Sequence, residues 1–477
     1  MSDLRVPGLS EDEQDTLTAL LHQFDRLTPR NLLRSSYYDG KRALRQVGSV
    51  IPPQYYRLGI VLGWSGKAVD LLARRCNLDG FVWADGDLED FGFADFRDAN
   101  HLFAEIKTAL IPSLVHGPAF LINTRGAAGE PVSLLHVKDA LSATGQWNRR
   151  RRALDNLLSI NGYDDDKNIN AFTLYLDGVT VTCERDSSGW SVDRQGHPWG
   201  VPAEPLIYKP RAGRDFGSSR ISRPLMSIHD MALRTVIRME GHLDVYSYPE
   251  LWMLGADPSI FKNADGTQKA SWQVMLGRIK GIPDDDDAEN PRADVKQFPA
   301  SSPEPHLAAL NAQAKLFARE ASLPDSALAI SDMANPTSAD AYTASREDLV
   351  AEAEGAMDDW SLPIRRAVAR GLAIQNGLSE VPAEFASIEP KWRSPMFLSR
   401  AAQADAGMKQ LSAVPWLADT EVGLELLGLD EQQVRRAMAD KRRGAVSQLV
   451  AGVQERLAAA QQDPVVQAAA GERGAGG

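Results

Sequence analysis

The chain has 477 residues, 43% hydrophobic and 24% charged, enough apolar material for about three domains at roughly 150 residues each. Lysine and arginine number 52 against 64 aspartates and glutamates, a formal charge of -12, which excludes a strongly basic, base-reading DNA-binding domain but not a protein that lets DNA pass without gripping it. Cys76 and Cys183 alone exclude a disulfide framework or cysteine-rich metal site, and with no signal-peptide pattern after Met1 and an apolar stretch Leu102–Ile122 broken by Glu105, Lys107, Pro112, His116 and Pro118, an intracellular chain with no membrane span is expected.

Residues 10–46 read as helical, with Leu17, Leu20, Leu21, Phe24 and Leu27 at helical spacing before Pro29 interrupts. A second helix carries Val61, Leu62, Val69, Leu71 and Leu72 and ends near Asn77-Leu-Asp-Gly80. From about 113 to 208 the texture turns to short strands. Phe172, Leu174 and Leu176 alternate, Asp177-Gly178 supplies a turn, and Val179, Val181 and Cys183 alternate after it, which predicts a hairpin. Residues 1–215 therefore read as an α+β domain. A Gly/Ser/Arg-rich joint at 209–223 sets Lys209, Arg211, Arg214, Arg220 and Arg223 against Asp215. Two readings of it stand: contacts with a partner's acids or with phosphates, or a solvated hinge.

From Ser222 a helix places Leu225, His229, Ala232, Val236, Met239 and Leu243 in steps of four and three, a seam along one face. Residues 244–301 lose that rhythm; Trp272–Ile282 is their best run for regular structure, and Asp284 to Asp287 form an acidic turn. Ser302-Pro303 opens a second seam helix through Leu307, Leu310, Ala314, Phe317 and Ala321. After a loop, Thr337-Ser-Ala-Asp340 matches a capping box, and helix 337–360 sets Asp340, Glu347, Asp348, Glu352, Glu354, Asp358 and Asp359 against Arg346 alone. A further helix at about 361–377, a strand at 387–394, Ala/Gln-rich helices over 396–462 and a tail from Gly471 complete the chain.

Catalytic motifs fail on inspection. Gly63-Trp-Ser-Gly66-Lys67 lacks the phosphate-loop glycine, where Val61 stands, and the hydroxyl after lysine, where Ala68 stands. The run from Asp164 to Asn170 starts like a calcium loop, but Ile169 replaces the turning glycine and Tyr175 the closing carboxylate. None of the eight histidines has a zinc-binding spacing, and His229 and His242 read as packing or interface residues. No cofactor and no enzymatic activity are expected.

Five short segments carry a resemblance: Ser36-Tyr-Tyr-Asp-Gly40-Lys, Asn77-Leu-Asp-Gly-Phe81, His116-Gly-Pro-Ala-Phe120, Phe216-Gly-Ser-Ser-Arg-Ile-Ser222 and Asn335-Pro-Thr-Ser-Ala-Asp-Ala341. In this order, over about 30 to 460, the chain resembles the portal proteins of tailed double-stranded DNA phages, of the long-tailed siphophage type from actinobacterial hosts. The resemblance implies an α+β, largely helical portal fold with 1–215 as wing, 216–243 and 302–321 as stem helices, 244–301 as clip, 322–360 as tunnel loop and tunnel helix, 361–395 as wing return, and 396–477 as crown and tail. It implies a homo-oligomeric ring of about twelve subunits at one capsid vertex. Double-stranded DNA would be packaged and ejected through that ring, and the ring would dock the terminase large subunit and then the head-tail adaptor, beside major capsid and scaffold proteins. Its place would be the virion, and the host cytoplasm during assembly.

Site residues follow from the same likeness. Ser331, Asp332, Met333, Asn335, Pro336, Thr337 and Ser338 would touch DNA as the tunnel loop, and Glu347, Asp348, Glu352 and Glu354 would face the channel, against the plainer reading of a solvated acidic face. Leu225, Ala232, Val236, Met239, Leu307, Leu310, Ala314 and Phe317 would form the stem interface between subunits. The alternatives are a metal-dependent nucleic-acid-processing enzyme using Asp284 to Asp287, and a cellular scaffold ring.

Overall fold

Ser10 opens the first helix with a reciprocal cap: its hydroxyl accepts from the Glu13 amide at 3.2 Å, and Glu13 accepts from the Ser10 amide at 2.8 Å. That helix, α1 (Glu11–Tyr38), runs through Pro29 rather than stopping there, and ends short of residue 46. An interior proline costs about 3 kcal/mol. Leu17, Leu20, Leu21 and Phe24 before it, and Asn31 and Tyr37 after it, are all buried, and this packing holds the helix across the break. The computed structural model describes residues 4–42, 59–246, 251–254, 262, 265–267, 279–282, 294–297, 301–328, 346–396 and 400–462, in two units, Met1–Pro395 and Met396–Gly477.

In the first unit, α2 (Trp64–Ala73), β1 (Leu78–Trp83), α3 (Phe93–Ala99) and α4 (Leu102–His116) follow. The apolar stretch 102–122 is thus a helix and then a strand, β2 (Pro118–Arg125). β2 is the middle of an antiparallel three-stranded sheet, flanked by β3 (Ser133–Asp139) and, from further along the chain, residues Ala203–Ile207. Its first six residues are all buried because both its faces are covered. Ala119 and Leu121 enter one core, with α2, α4 and a long helix described below; Phe120 and Ile122 enter another.

A five-stranded antiparallel meander comprises β4 (Ala143–Asn148), β5 (Ala153–Tyr163), β6 (Ile169–Leu176), β7 (Val179–Asp186) and β8 (Gly189–Gly196). The expected hairpin is β6–β7, with Leu176 opposite Val179 and Gly178 at φ 79°, a left-handed value that glycine adopts without strain. Phe172, Leu174, Val181 and Cys183 pack with Leu17, Leu20, Leu21 and Phe24 of α1. The Ala203–Ile207 strand is β9.

The two seam helices are α5 (Arg223–Tyr246) and, after the short strands β10 (Leu251–Leu254), β11 (Ile279–Ile282) and β12 (Asp294–Gln297), α6 (Glu304–Glu320). β10 is central in its sheet, parallel to β11 and antiparallel to β12. Of the expected run Trp272–Ile282, residues 279–282 are described and form β11. The next helix, α7 (Glu347–Gln375), is continuous through Pro363, where separate helices were expected on either side of residue 360. Trp360, Ile364, Ala367 and Val368 are wholly buried, and this burial on both sides of the proline again keeps the helix whole. The expected strand is β13 (Ile388–Trp392), antiparallel to β1.

The second unit contains α8 (Arg400–Ala413), α9 (Glu421–Leu426) and α10 (Glu431–Gln462). Thr420 caps α9 by accepting from the Gly423 amide at 3.1 Å. A Cβ on Gly423 would stand 1.9 Å from the Leu417 carbonyl oxygen, so only glycine fits there.

Candidate functional site

The helices α5 and α6 lie side by side and antiparallel. Gln313 donates to the Thr235 hydroxyl at 3.0 Å, and seven residues further along α5 and seven back along α6, the His242 and His306 rings meet at 3.0 Å. His242 also contacts the Ser301 carbonyl at 3.0 Å. His229 is a packing residue: it is fully buried, bonded to the Ser65 hydroxyl at 2.9 Å and edge-on to Tyr37.

Four of the eight expected stem-interface residues face their own subunit. Leu225, Ala232, Ala314 and Phe317 are buried, Leu225 and Phe317 in the main core, with Phe317 5.6 Å from Trp64. They have no surface to offer a neighbour, which corrects that expectation. Val236, Met239 and Leu310 are half-buried and Leu307 is exposed. Sequence reasoning missed Met231, Leu243 as an exposed position, and Leu316, which is 53% exposed. Leu316 sits off the seam beside Phe317, and an apolar residue outside a seam already complete was the signal that could have found it.

The acidic helix divides in the same way. Glu347, Asp348 and Glu354 are exposed on α7, with Asp358 beside them. Glu352 is not: its side chain is 8% exposed and meets Arg220, itself 2% exposed, at 2.6 Å. Tyr208 donates to the same carboxylate at 2.5 Å, and Lys209 pairs with it. Burial raises the Glu352 pKa, but the Arg220 charge and the hydrogen bonds from Lys209, Tyr208 and Arg220 outweigh it and hold the carboxyl at about 2. Glu352 therefore cannot line a channel wall, another correction, because it is consumed by cations of its own chain.

Arg220 is the hub of that network. Its guanidinium also donates to the Ala68 carbonyl at 2.8 Å and the Ala321 carbonyl at 2.6 Å. One side chain thus ties α2, the residue ending α6, and α7 together. Two cations of the basic joint are used within the chain: Lys209 and Arg220 hold Glu352, while Asp215 of the same joint holds Arg149 at 3.0 Å. No local motif announced the Arg220–Glu352 pair, whose members stand far apart in sequence.

The residues expected to form the tunnel loop, Ser331, Asp332, Met333, Asn335, Pro336, Thr337 and Ser338, and the acidic run Asp284 to Asp287, lie outside the described residues. Lys67 of the phosphate-loop-like segment donates to the Ala327 carbonyl. Asp164 accepts from the Asn168 amide at 2.7 Å, closing a turn. Burial pushes the Cys76 thiol up to about 12 and the Cys183 thiol to about 11, far from a reactive thiolate. Among the described residues no group of three or more His, Cys, Asp or Glu is placed to hold a metal ion.

Residues 17–443 match the family described as phage portal protein, SPP1 Gp6-like. The chain belongs to that family. Its portal relatives include the portal protein of Mycobacterium phage L5, 25% identical over 416 residues that cover 85% of this chain and 84% of that one. The portal protein of Mycobacterium phage D29 is 26% identical over 417 residues, covering 85% and 83%. Among solved structures, the neck of a native gene transfer agent particle computed with C12 symmetry is similar at a TM-score of 0.42 and 17% identity, over 77% of this chain and 90% of that chain. The portal chain has the mixed, largely helical architecture expected of it, and no described helix is long and apolar enough to cross a membrane.

Proposed function

We propose that this portal chain closes into a ring of about twelve copies at one vertex of a capsid, and that double-stranded DNA is packaged and ejected through its centre. The observation that carries the reading is the antiparallel α5–α6 pair, which brackets 247–303 and leaves Leu243, Leu307 and Leu316 exposed with Val236, Met239 and Leu310 half-covered. A two-helix rod cannot bury apolar residues on all its sides; copies packed around an axis cover them. In this reading α5 and α6 are the stem, the segment between them the clip, residues 1–215 and 361–395 the wing, 322–360 the tunnel loop and tunnel helix, and the second unit the crown within the virion. The clip would dock the terminase large subunit and then the head-tail adaptor, and the wing would meet major capsid and scaffold proteins during assembly in the host cytoplasm.

Residues 331–338 would form the tunnel loop, and Glu347, Asp348 and Glu354 of α7 would face the duplex. Carboxylates there repel phosphates, whereas each lysine or arginine contact would add affinity through counterion release and impede movement. The chain performs no catalysis in this scheme. Negative-stain images of the purified chain, with its mass in solution, test it: rings with a central hole are expected, and a monomer at high concentration would refute it.

A further inference from the structure

Four arginines form a row along α1 and the loop before α5, and one of them, Arg34, reaches the carboxyl end of α4. Arg26, Arg30 and Arg34 follow at four-residue steps along one face of α1, about 6 Å apart in rise, and Arg214 joins them from the loop before α5. Arg34 is half-buried and donates to the carbonyl of His116, the last residue of α4, at 2.7 Å. Burial first, then the charges of Arg30 and Arg214, bring Arg34 down to about 10; Arg30 is lowered by burial, Arg214 and Arg26. Nearby carboxylates are committed elsewhere. Asp215 pairs with Arg149, and Asp139 accepts from the Ser142 hydroxyl at 2.7 Å and the Leu141 amide at 3.1 Å. Among the described residues no carboxylate pairs with any of the four, in a chain with 64 acids to 52 bases.

The opposite charge collects in the sequence that leads into the same helix. Just before α4 begins, Asp85, Asp87, Glu89, Asp90, Asp95 and Asp98 stand against Arg97 alone, all six carboxylates on exposed residues. Arg97 is spent on Asp98 at 2.7 Å, Asp87 and Glu89 accept only from backbone amides, and Asp90 and Asp95 have no partner among the described residues. The 15 residues of α4 span about 22 Å, with Arg34 at the carboxyl end and Asp98 shortly before the start. Neither can neutralise the other within one subunit.

We propose that the arginine cluster of one copy receives the Asp85–Asp98 carboxylates of the next, a head-to-tail contact between unlike patches of the kind that closes a ring. This rests on the ring reading above and names one of its contacts. A phosphate backbone fits the same arginines less well, because a four-arginine grip on DNA opposes the passage that reading requires.

The test uses the full chain. One variant carries Arg26→Glu, Arg30→Glu and Arg214→Glu, leaving Arg34 on its carbonyl; the other carries Asp90→Lys and Asp95→Lys. Sedimentation velocity at matched concentrations is expected to show each variant alone assembling about 10-fold or more weakly than the unaltered chain, and an equimolar mixture recovering assembly with both chains in it. Thermal melts check that the subunits fold. If a reversal lowers the melt, Arg→Gln and Asp→Asn versions replace it, and a partial loss of assembly is then expected. Variants that assemble like the unaltered chain, or a mixture that does not recover, would overturn the proposal. Loss of binding to a labelled DNA duplex with assembly intact would assign the cluster to phosphates and overturn it too. A monomeric unaltered chain would refute the ring as well, whereas rings with indifferent variants would refute this contact alone.

Discussion

Glu352→Gln removes the charge from the buried network while keeping the shape of the side chain. A carboxyl held at about 2 against an ordinary 4.5 represents roughly 3 kcal/mol of stabilisation at neutral pH. That agrees with the 3–5 kcal/mol or so typical when one partner of a buried ion pair is lost. Because the folded-state pKa is depressed, the contribution is complete above 4.5 and disappears as pH falls through about 2. Urea unfolding of the unit containing residues 1–395, followed at neutral pH and at steps below 4.5, should show the Glu352→Gln deficit shrinking on acidification. Arg220→Met should cost more than Glu352→Gln, since it also strands the carbonyls of Ala68 and Ala321. A deficit below about 1 kcal/mol at neutral pH, or one that does not change with acid, would refute the assignment of Glu352 to a buried pair.

Leu307→Asp with Leu316→Asp should abolish rings while leaving the subunit melting temperature nearly unchanged; mass photometry decides, and intact rings would remove α6 from the interface. Phe317→Asp should do the opposite kind of damage, unfolding the subunit itself, because Phe317 is fully buried against Trp64; circular dichroism would show it. Reversing Glu347, Asp348 and Glu354 to lysine should leave rings assembled but stall DNA filling in a packaging assay, and normal filling would leave those acids as a solvated face. Gly423→Ala should destabilise the second unit by about 1–3 kcal/mol, read from its denaturant midpoint, since the added Cβ would meet the Leu417 carbonyl.

What could be read from the residues was local. Alternation through Phe172–Cys183 with Asp177-Gly178 between is a complete hairpin instruction within a dozen residues, and the structure holds that hairpin in the expected register. The steps of four and three from Leu225 and from Leu307 likewise sufficed to place two helices. Proline misled at Pro29, because a helix crosses a proline when buried side chains on both sides secure it, and burial is set by distant partners; α7 crosses Pro363 in the same way. The same limit explains the site residues. Glu352 and Glu354 are both acids on one helix, and only the position of Arg220, far away in sequence, separates the buried one from the exposed one. A seam pattern identifies an apolar stripe but not its owner, so Phe317, which serves its own core, and Leu316, which faces out, are told apart only by Trp64.

The pairing of β1 with β13 has a consequence for synthesis on the ribosome. Trp83 lies opposite Ile388, so β1 waits for a mate made some 300 residues later. At about 5–20 residues per second the delay is roughly 15–60 s. Throughout it, Phe81 and Trp83 and the helices behind them lack the covering that α7 and β13 supply, and the nascent chain is at its most adhesive. Chaperone demand should therefore peak before residue 392 emerges and drop soon after.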